Sequence, residues 1–228
     1  MILIAECGNN HFGDFEKAKE MVMAASESGA FMVKFQAFEA KDIVGGSMPK
    51  DFYEKCAFTL AQYKELIAYG RSKGVGVFYS VFSDSLKELT FAQRWRKISG
   101  KQTVKAIEAG DFIDRPGTFV SFPKTHLIAA ATLRHAVPLY VCEYLTSDPE
   151  LFRLHYLHDI MAGRPFGYSD HTVGNVACEL AVKEYGCRVV EKHFTMEKNM
   201  SYRGQVFRDT IHGATPKEFR HLANLVKV

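Results

Sequence analysis

Two short runs of strand-forming residues each end in a histidine. Phe166-Gly167-Tyr168-Ser169-Asp170 leads into His171, and Val189-Val190-Glu191-Lys192 leads into His193. The stretch 173 to 185 between them reads as one helix. If the two strands pair, about 4.8 Å apart, their terminal side chains converge. Two imidazoles so placed can share one divalent ion at about 2.0–2.2 Å each. Two protein ligands leave positions open for substrate and water, as Lewis-acid catalysis requires. The competing reading is a pair of hydrogen-bonded structural histidines. The other histidines, among them His11 and His212, show no such pairing in sequence.

The elements that must position this pair follow a repeating pattern. Ile2 to Ala5 is a compact apolar run ending at Glu6. Asp14 sits where an N-cap belongs, and Ala18, Met21, Val22 and Ala25 mark a helical period. Strand candidates follow at 31–36, 75–82, 95–99, 118–122, 139–142, 166 onward and 189 onward. They alternate with helical stretches at 60–73, 84–91, 103–109, 125–136, 149–162 and 173–185. Residues 37–58 read as a long loop, and Pro216 opens a last helix. Strand–helix alternation favours a parallel sheet. Eight such units in 228 residues predict a compact (β/α)8 TIM barrel forming a single domain over residues 1–228. The alternative, an open doubly wound sheet, lacks any GxGxxG fingerprint.

In a barrel the C-terminal strand ends share one face, where active sites are built. The polar residues there are Glu6, Lys34 with Gln36, Ser80, Lys97 with Ser99, Ser121, Glu143 with Tyr144, Ser169 with His171, and Glu191 with His193. Two lysines and several serines aimed at one cavity suit an anion, because ammonium groups seek a counter-charge and hydroxyls add neutral donors. Taken singly, each serine could be a solvated strand end. The formal charge is only +3, with no basic block, which argues against a nucleic-acid or membrane surface. The five scattered cysteines suit a reducing compartment, and MILIAEC lacks a basic leader, so the expected location is cytoplasmic.

IAECGNNHFGD, MVKFQAF, FYSVFSD, KIS, GYSDHT and EKHFT together resemble the sialic acid synthase (nonulosonate synthase) family over nearly the whole chain. The resemblance implies a barrel enzyme that condenses phosphoenolpyruvate with an N-acetylated aldose such as N-acetylmannosamine. The product would be a nine-carbon 2-keto sugar acid, with phosphate released by C–O cleavage. It places metal ligands at His171 and His193, for Mn²⁺ or Mg²⁺. It places the phosphate cradle at Lys34, Ser80, Lys97, Ser121 and Ser169, and a carboxylate acting on the attacking water at Glu6. Gln36, Glu191, Tyr144 and Asp209 fall on substrate-contacting positions, with Gln36, Tyr144 and Asp209 toward the sugar. The expected partners are therefore small molecules.

The departures are specific. KISGKQ stands where the family reads KIxSGE, which shifts Ser99 off the phosphate position. CEYLTSDP replaces an asparagine-containing segment, and residues 202–208 look like an insertion before Asp209. Family members usually continue into an antifreeze-like domain that reaches a partner subunit's sugar site. The expectation here is the barrel domain alone, completed by a homodimer or by a separate closing subunit. Two other functions compete: a metal-dependent barrel lyase or aldolase with a different electrophile, and a non-catalytic barrel that binds a phosphorylated ligand.

Overall fold

A computed structural model of the chain describes residues 1–226 apart from 44, 92–93, 110–113 and 145. The first unit is β1 (Ile2–Gly8) and α1 (Phe15–Glu27). The Asp14 carboxylate caps α1 by accepting the Lys17 N–H at 3.1 Å, and Ala18, Met21, Val22 and Ala25 form its buried stripe. β2 (Met32–Ala37) is followed by α2 (Lys50–Cys56) and α3 (Leu60–Ser72). Next come β3 (Gly76–Val81), α4 (Glu88–Phe91), β4 (Arg96–Ile98), α5 (Gly100–Glu108) and β5 (Thr118–Pro123). β6 (Val137–Val141), α6 (Arg153–Met161), β7 (Gly167–Asp170), α7 (Val176–Lys183) and β8 (Val189–His193) complete the ring. After β8 a two-stranded hairpin, β9 (Ser201–Tyr202) and β10 (Gln205–Val206), leads into α8 (Arg208–His212) and α9 (Pro216–Leu225).

The strands pair in chain order, all parallel, and β8 closes on β1 with Glu6 opposite His193. The barrel is therefore closed, as the unit count implies, and the open-sheet alternative falls. Side chains alternate in and out along each strand. Ile4, Met32, Phe78, Phe119, Leu139 and Val189 fill one inner layer with apolar surface. Two residues further along the same strands stand Glu6, Lys34, Ser80, Ser121 and Glu191. The period of a strand thus lifts a polar layer directly above an apolar floor.

Three local readings change. Residues 37–58 are not simply loop: α2 buries Phe52, Tyr53 and Cys56 in a small cluster with Phe38, Met48 and Phe207. Seven residues are too few for the apolar period to show. Residues 124–132 form a 3₁₀ segment, whose buried Leu127 and Ala130 are three apart and match its three-residue turn. The stretch 83–91 splits into a 3₁₀ turn at Asp84–Leu86 and the short α4. The inserted stretch after residue 200 is the hairpin, with Arg203 (φ 50°) and Gly204 (φ 81°) at its turn. Two successive left-handed residues are the signature of a tight two-residue hairpin loop. Tyr202 and Arg203 both reach Asp51 of α2, at 2.9 and 2.7 Å, so hairpin and α2 brace each other.

Candidate active site

The polar layer is a connected charge network. Glu191 of β8 receives the Lys97 ammonium at 2.7 Å and the Ser169 hydroxyl at 2.8 Å on one oxygen, with the Lys34 ammonium 3.1 Å from the other. Lys34 also contacts Glu6, and it lies 3.5 Å from the Ser80 hydroxyl. Four strands, β1, β2, β4 and β8, thus meet through four charged side chains, and β3 and β7 join through Ser80 and Ser169. All six residues are buried. The Ser121 hydroxyl, on β5, is buried with no hydrogen-bond partner among the described residues, as is Glu6 Oε1, while Glu6 Oε2 faces the Lys34 ammonium.

Burial sets the electrostatics. It pushes Lys34 down to about 7 from its ordinary 10.5, against the pull of Glu191 and with Lys97 adding to the drop. Burial alone would raise the Glu191 carboxyl, but Lys34 and Lys97, aided by the Ser169 hydroxyl, hold it well below the usual carboxylate range. The lysines and carboxylates balance, two against two, while Lys34 retains the capacity to take up a proton. Such a site favours an incoming anion that replaces carboxylate contacts with its own oxygens.

The second half of the site lies one step nearer the mouth. Gly8, at φ +47°, ends β1 with its backbone turned between three functional groups. A Cβ there would stand 3.2 Å from Glu6 Oε1, 3.5 Å from Asp209 Oδ2 and 3.8 Å from Gln36 Nε2. Glu6, Gln36 and Asp209 therefore surround one small space, and the absence of a side chain at residue 8 keeps it open. Gln36 is oriented by Asn9, whose amide donates to its Oε1 at 2.9 Å.

His171 and His193 are neighbours, with ring centroids 5.2 Å apart, as the adjacent strands imply. The His171 Nδ1 meets the Cys142 carbonyl at 2.9 Å. A carbonyl only accepts, so in the neutral ring Nδ1 carries the proton and the other nitrogen keeps its lone pair. Burial lowers His171 to about 4 and His193 well below its ordinary value, so both are neutral near pH 7. Tyr144 stacks on His171 at 4.0 Å and is half exposed, which places it at the mouth. Burial raises Asp209 to about 7, against the pull of Lys34 and Arg208.

One residue escaped the sequence reading. His212, treated there as unpaired, lies on α8 with its ring 4.7 Å from His193 and 5.5 Å from His171. It is fully buried, and neither ring nitrogen has a hydrogen-bond partner among the described residues. An unpaired buried polar group costs about 1–3 kcal/mol. His193, Asp209 and His212 offer ligand atoms within 4.8 Å of one another. His212 follows no strand, so only the i, i+3 spacing with Asp209 on α8 hinted at a shared face.

Ser99 is accounted for differently. Its hydroxyl accepts the Gln102 N–H at 3.4 Å, and the Gln102 side chain returns to its backbone N–H at 3.0 Å. It is the N-cap of α5 in a capping box. Glu143 points to solvent and pairs with Lys124 at 3.0 Å.

A closed (β/α)8 barrel with a buried lysine, serine and carboxylate layer under a histidine cluster at the C-terminal strand ends defines the class of this protein. The NeuB family model matches residues 117–228. The chain is 29% identical to N,N'-diacetyllegionaminic acid synthase of Legionella pneumophila, over 99% of this chain and 71% of that one. It is 28% identical to pseudaminic acid synthase of Helicobacter pylori, over 92% and 70%. The crystal structure of N-acetylneuraminic acid synthetase from Leptospira borgpetersenii superposes with a TM-score of 0.80 at 22% identity, over 99% of this chain and 82% of that one. The chain thus carries a NeuB family match over residues 117–228, and its relatives over nearly its whole length are sialic, legionaminic and pseudaminic acid synthases. Among the described residues no helix is long and apolar enough to cross a membrane.

Proposed function

We infer that the chain condenses phosphoenolpyruvate with an N-acetylated aldose, giving a 2-keto sugar acid of nine carbons and free phosphate. The observation that carries this is the polar layer, in which two buried ammonium groups and three hydroxyls from five strands face one space beside Glu6. The names of the relatives, synthases of amino-bearing sugar acids, support the same class of product.

In this reading Lys34 and Lys97, with Ser80, Ser121 and Ser169, hold the phosphate. Lys34 becomes fully protonated as the anion arrives. The C3 carbon of the enol attacks the aldehyde carbon, a C–C bond forms, and positive charge develops at C2. Water adds at C2, with Glu6 accepting its proton and balancing the charge. The C2–O bond to phosphate then breaks and the bridging oxygen leaves with the phosphate; the C2 hydroxyl loses the second water proton as the ketone forms, and the two protons end on the former aldehyde oxygen and the phosphate. Glu191 orients the two lysines, while Gln36, Asp209 and Tyr144 line the side open to the sugar.

A divalent cation held by His171 and His193, Mn²⁺ or Mg²⁺ by resemblance, would supply Lewis-acid polarisation of the aldehyde oxygen. The residues fit it: both rings are neutral, and the His193 Nδ1 has no hydrogen-bond partner among the described residues. Incubation with phosphoenolpyruvate, Mn²⁺ and a panel of N-acetylated hexosamines should release phosphate only when a suitable sugar is present. Release without sugar would indicate a phosphatase. No release with any sugar would favour the phospho-ligand-binding barrel, and release with non-acetylated aldehydes only would favour an aldolase with another electrophile.

A further inference from the structure

The cation reading above names two histidines, but the structure presents a third of equal standing. His212 sits fully buried against His193 and His171, and both of its ring nitrogens lack a partner among the described residues. Asp209, one helical turn before it on α8, brings Oδ2 to 3.8 Å from His193 Nδ1. The ligand atoms of His193, Asp209 and His212 lie within 4.8 Å of one another. Around one ion at about 2.0–2.2 Å such atoms stand roughly 3–4 Å apart, so a small side-chain closure brings them to ligation distance. The His171 ring has its Nδ1 on a backbone carbonyl, which directs the lone pair of its other nitrogen away from that contact.

We propose that His212 is an additional cation ligand, so that His171, His193, His212 and Asp209 form an imidazole-rich site that favours a borderline ion such as Co²⁺ or Zn²⁺ over Mg²⁺. The proposal rests on the cation reading of the proposed function and goes beyond it in the ligand set and the ion selected. The selectivity follows from donor chemistry. Imidazole nitrogen suits the later transition ions, whereas Mg²⁺ requires oxygen donors and retains its water. α8 can deliver the ligand because the β9–β10 hairpin is tied to α2 through Asp51 and Phe207 is packed on Phe52, at ring centroids 5.0 Å apart. The structural cost of an unpaired buried imidazole is relieved when the ion binds.

The test uses chelator-treated full chain without substrates. Co²⁺ is titrated by calorimetry and by its visible absorption, with Mg²⁺ as competitor. The wild type should bind Co²⁺ at least about tenfold more tightly than Mg²⁺. His212→Gln should weaken Co²⁺ at least about tenfold, shrink the preference and alter the visible band. Unchanged Co²⁺ affinity and spectrum in His212→Gln would overturn the proposal, as would equal affinity of the wild type for both ions. No Co²⁺ uptake by the wild type would overturn it together with the two-histidine cation reading. Should His212→Gln fail to fold, ¹⁵N-histidine spectra of the wild type with Zn²⁺ decide. Shifts at the ring nitrogens of all three histidines are expected, and an unperturbed His212 would sink the idea. Phosphate release is scored separately, so failure of the condensation leaves these readouts intact.

Discussion

Strands β7 and β8 carry charge on both faces, and the two faces are built to opposite rules. Facing outward, under α7, Lys192 donates to Asp170 and to the Thr172 carbonyl at 2.5 Å each. Asp170 also receives the Tyr168 hydroxyl at 2.9 Å, the Thr172 N–H at 3.0 Å and the Cys178 thiol at 3.3 Å. Both charged residues are buried, and neither leaves a polar side-chain atom without a partner. Facing inward, Glu191 and Ser169 join a layer in which Glu6 Oε1 and the Ser121 hydroxyl have no partner among the described residues. The outward pair is saturated, and it fixes the strand ends that carry His171 and His193. The inward layer is undersaturated: the Ser121 hydroxyl is free to donate to a ligand oxygen, and Glu6 Oε1 is free to accept from a ligand hydroxyl or a water. Satisfaction of hydrogen bonds, rather than burial or charge, separates scaffold from site here.

The sharpest break of that contrast removes one outward partner. Lys192→Met should cost about 3–5 kcal/mol of stability in urea denaturation, because it strands a buried carboxylate. Replacing Asp170 by Asn as well should recover part of the loss. Lys34→Met, the inward counterpart, should cost less stability than Lys192→Met, since burial already opposes its charge and Lys97 still covers Glu191, leaving only Glu6 without its cation. It should instead weaken phosphoenolpyruvate by about 1.5–3 kcal/mol, roughly tenfold to 150-fold, in calorimetric titration. Equal stability losses for the two lysines would erase the distinction.

The pH dependence tests the inward side further. Burial holds Lys34 at about 7, so a phosphate bound there as proposed should take up a proton above that pH. Affinity for phosphoenolpyruvate should be flat below pH 7 and fall by up to about tenfold per unit above it. Titrations in buffers of different ionisation enthalpy would detect the proton uptake, and Lys34→Met should abolish the slope. The smallest effects separate two serines. Ser99→Ala should lose about 1 kcal/mol of stability by uncapping α5, with phosphoenolpyruvate affinity intact. Ser121→Ala should leave stability unchanged and weaken phosphoenolpyruvate by about 0.5–1.5 kcal/mol.

What the chain discloses before folding follows from how local the signal is. Lys34, Ser80, Ser121 and Glu191 were readable because strand alternation places each two residues past an apolar neighbour in a recognisable strand. The change in Ser99 was readable as a one-residue shift in KISGKQ, and its role as a helix cap accounts for the shift. α2 was hidden because a seven-residue helix shows less than two turns of period. His212 was hidden because its position depends on the β9–β10 turn, on the brace to Asp51 and on the packing of Phe207. Those contacts join residues about 150 apart in the chain, and no window of sequence contains them. The inner layer was legible through strand register, while the mouth was not, since it is assembled by loops.

The central claim, that the undersaturated inner layer is a phosphoenolpyruvate site, is tested most directly by a crystal soaked with phosphoenolpyruvate and Mn²⁺. The phosphate is predicted to lie among Lys34, Lys97, Ser80, Ser121 and Ser169, with Glu6 beside C2 of the enol. Phosphate density anywhere else, with the Lys34 and Lys97 contacts to Glu191 undisturbed, would contradict the account.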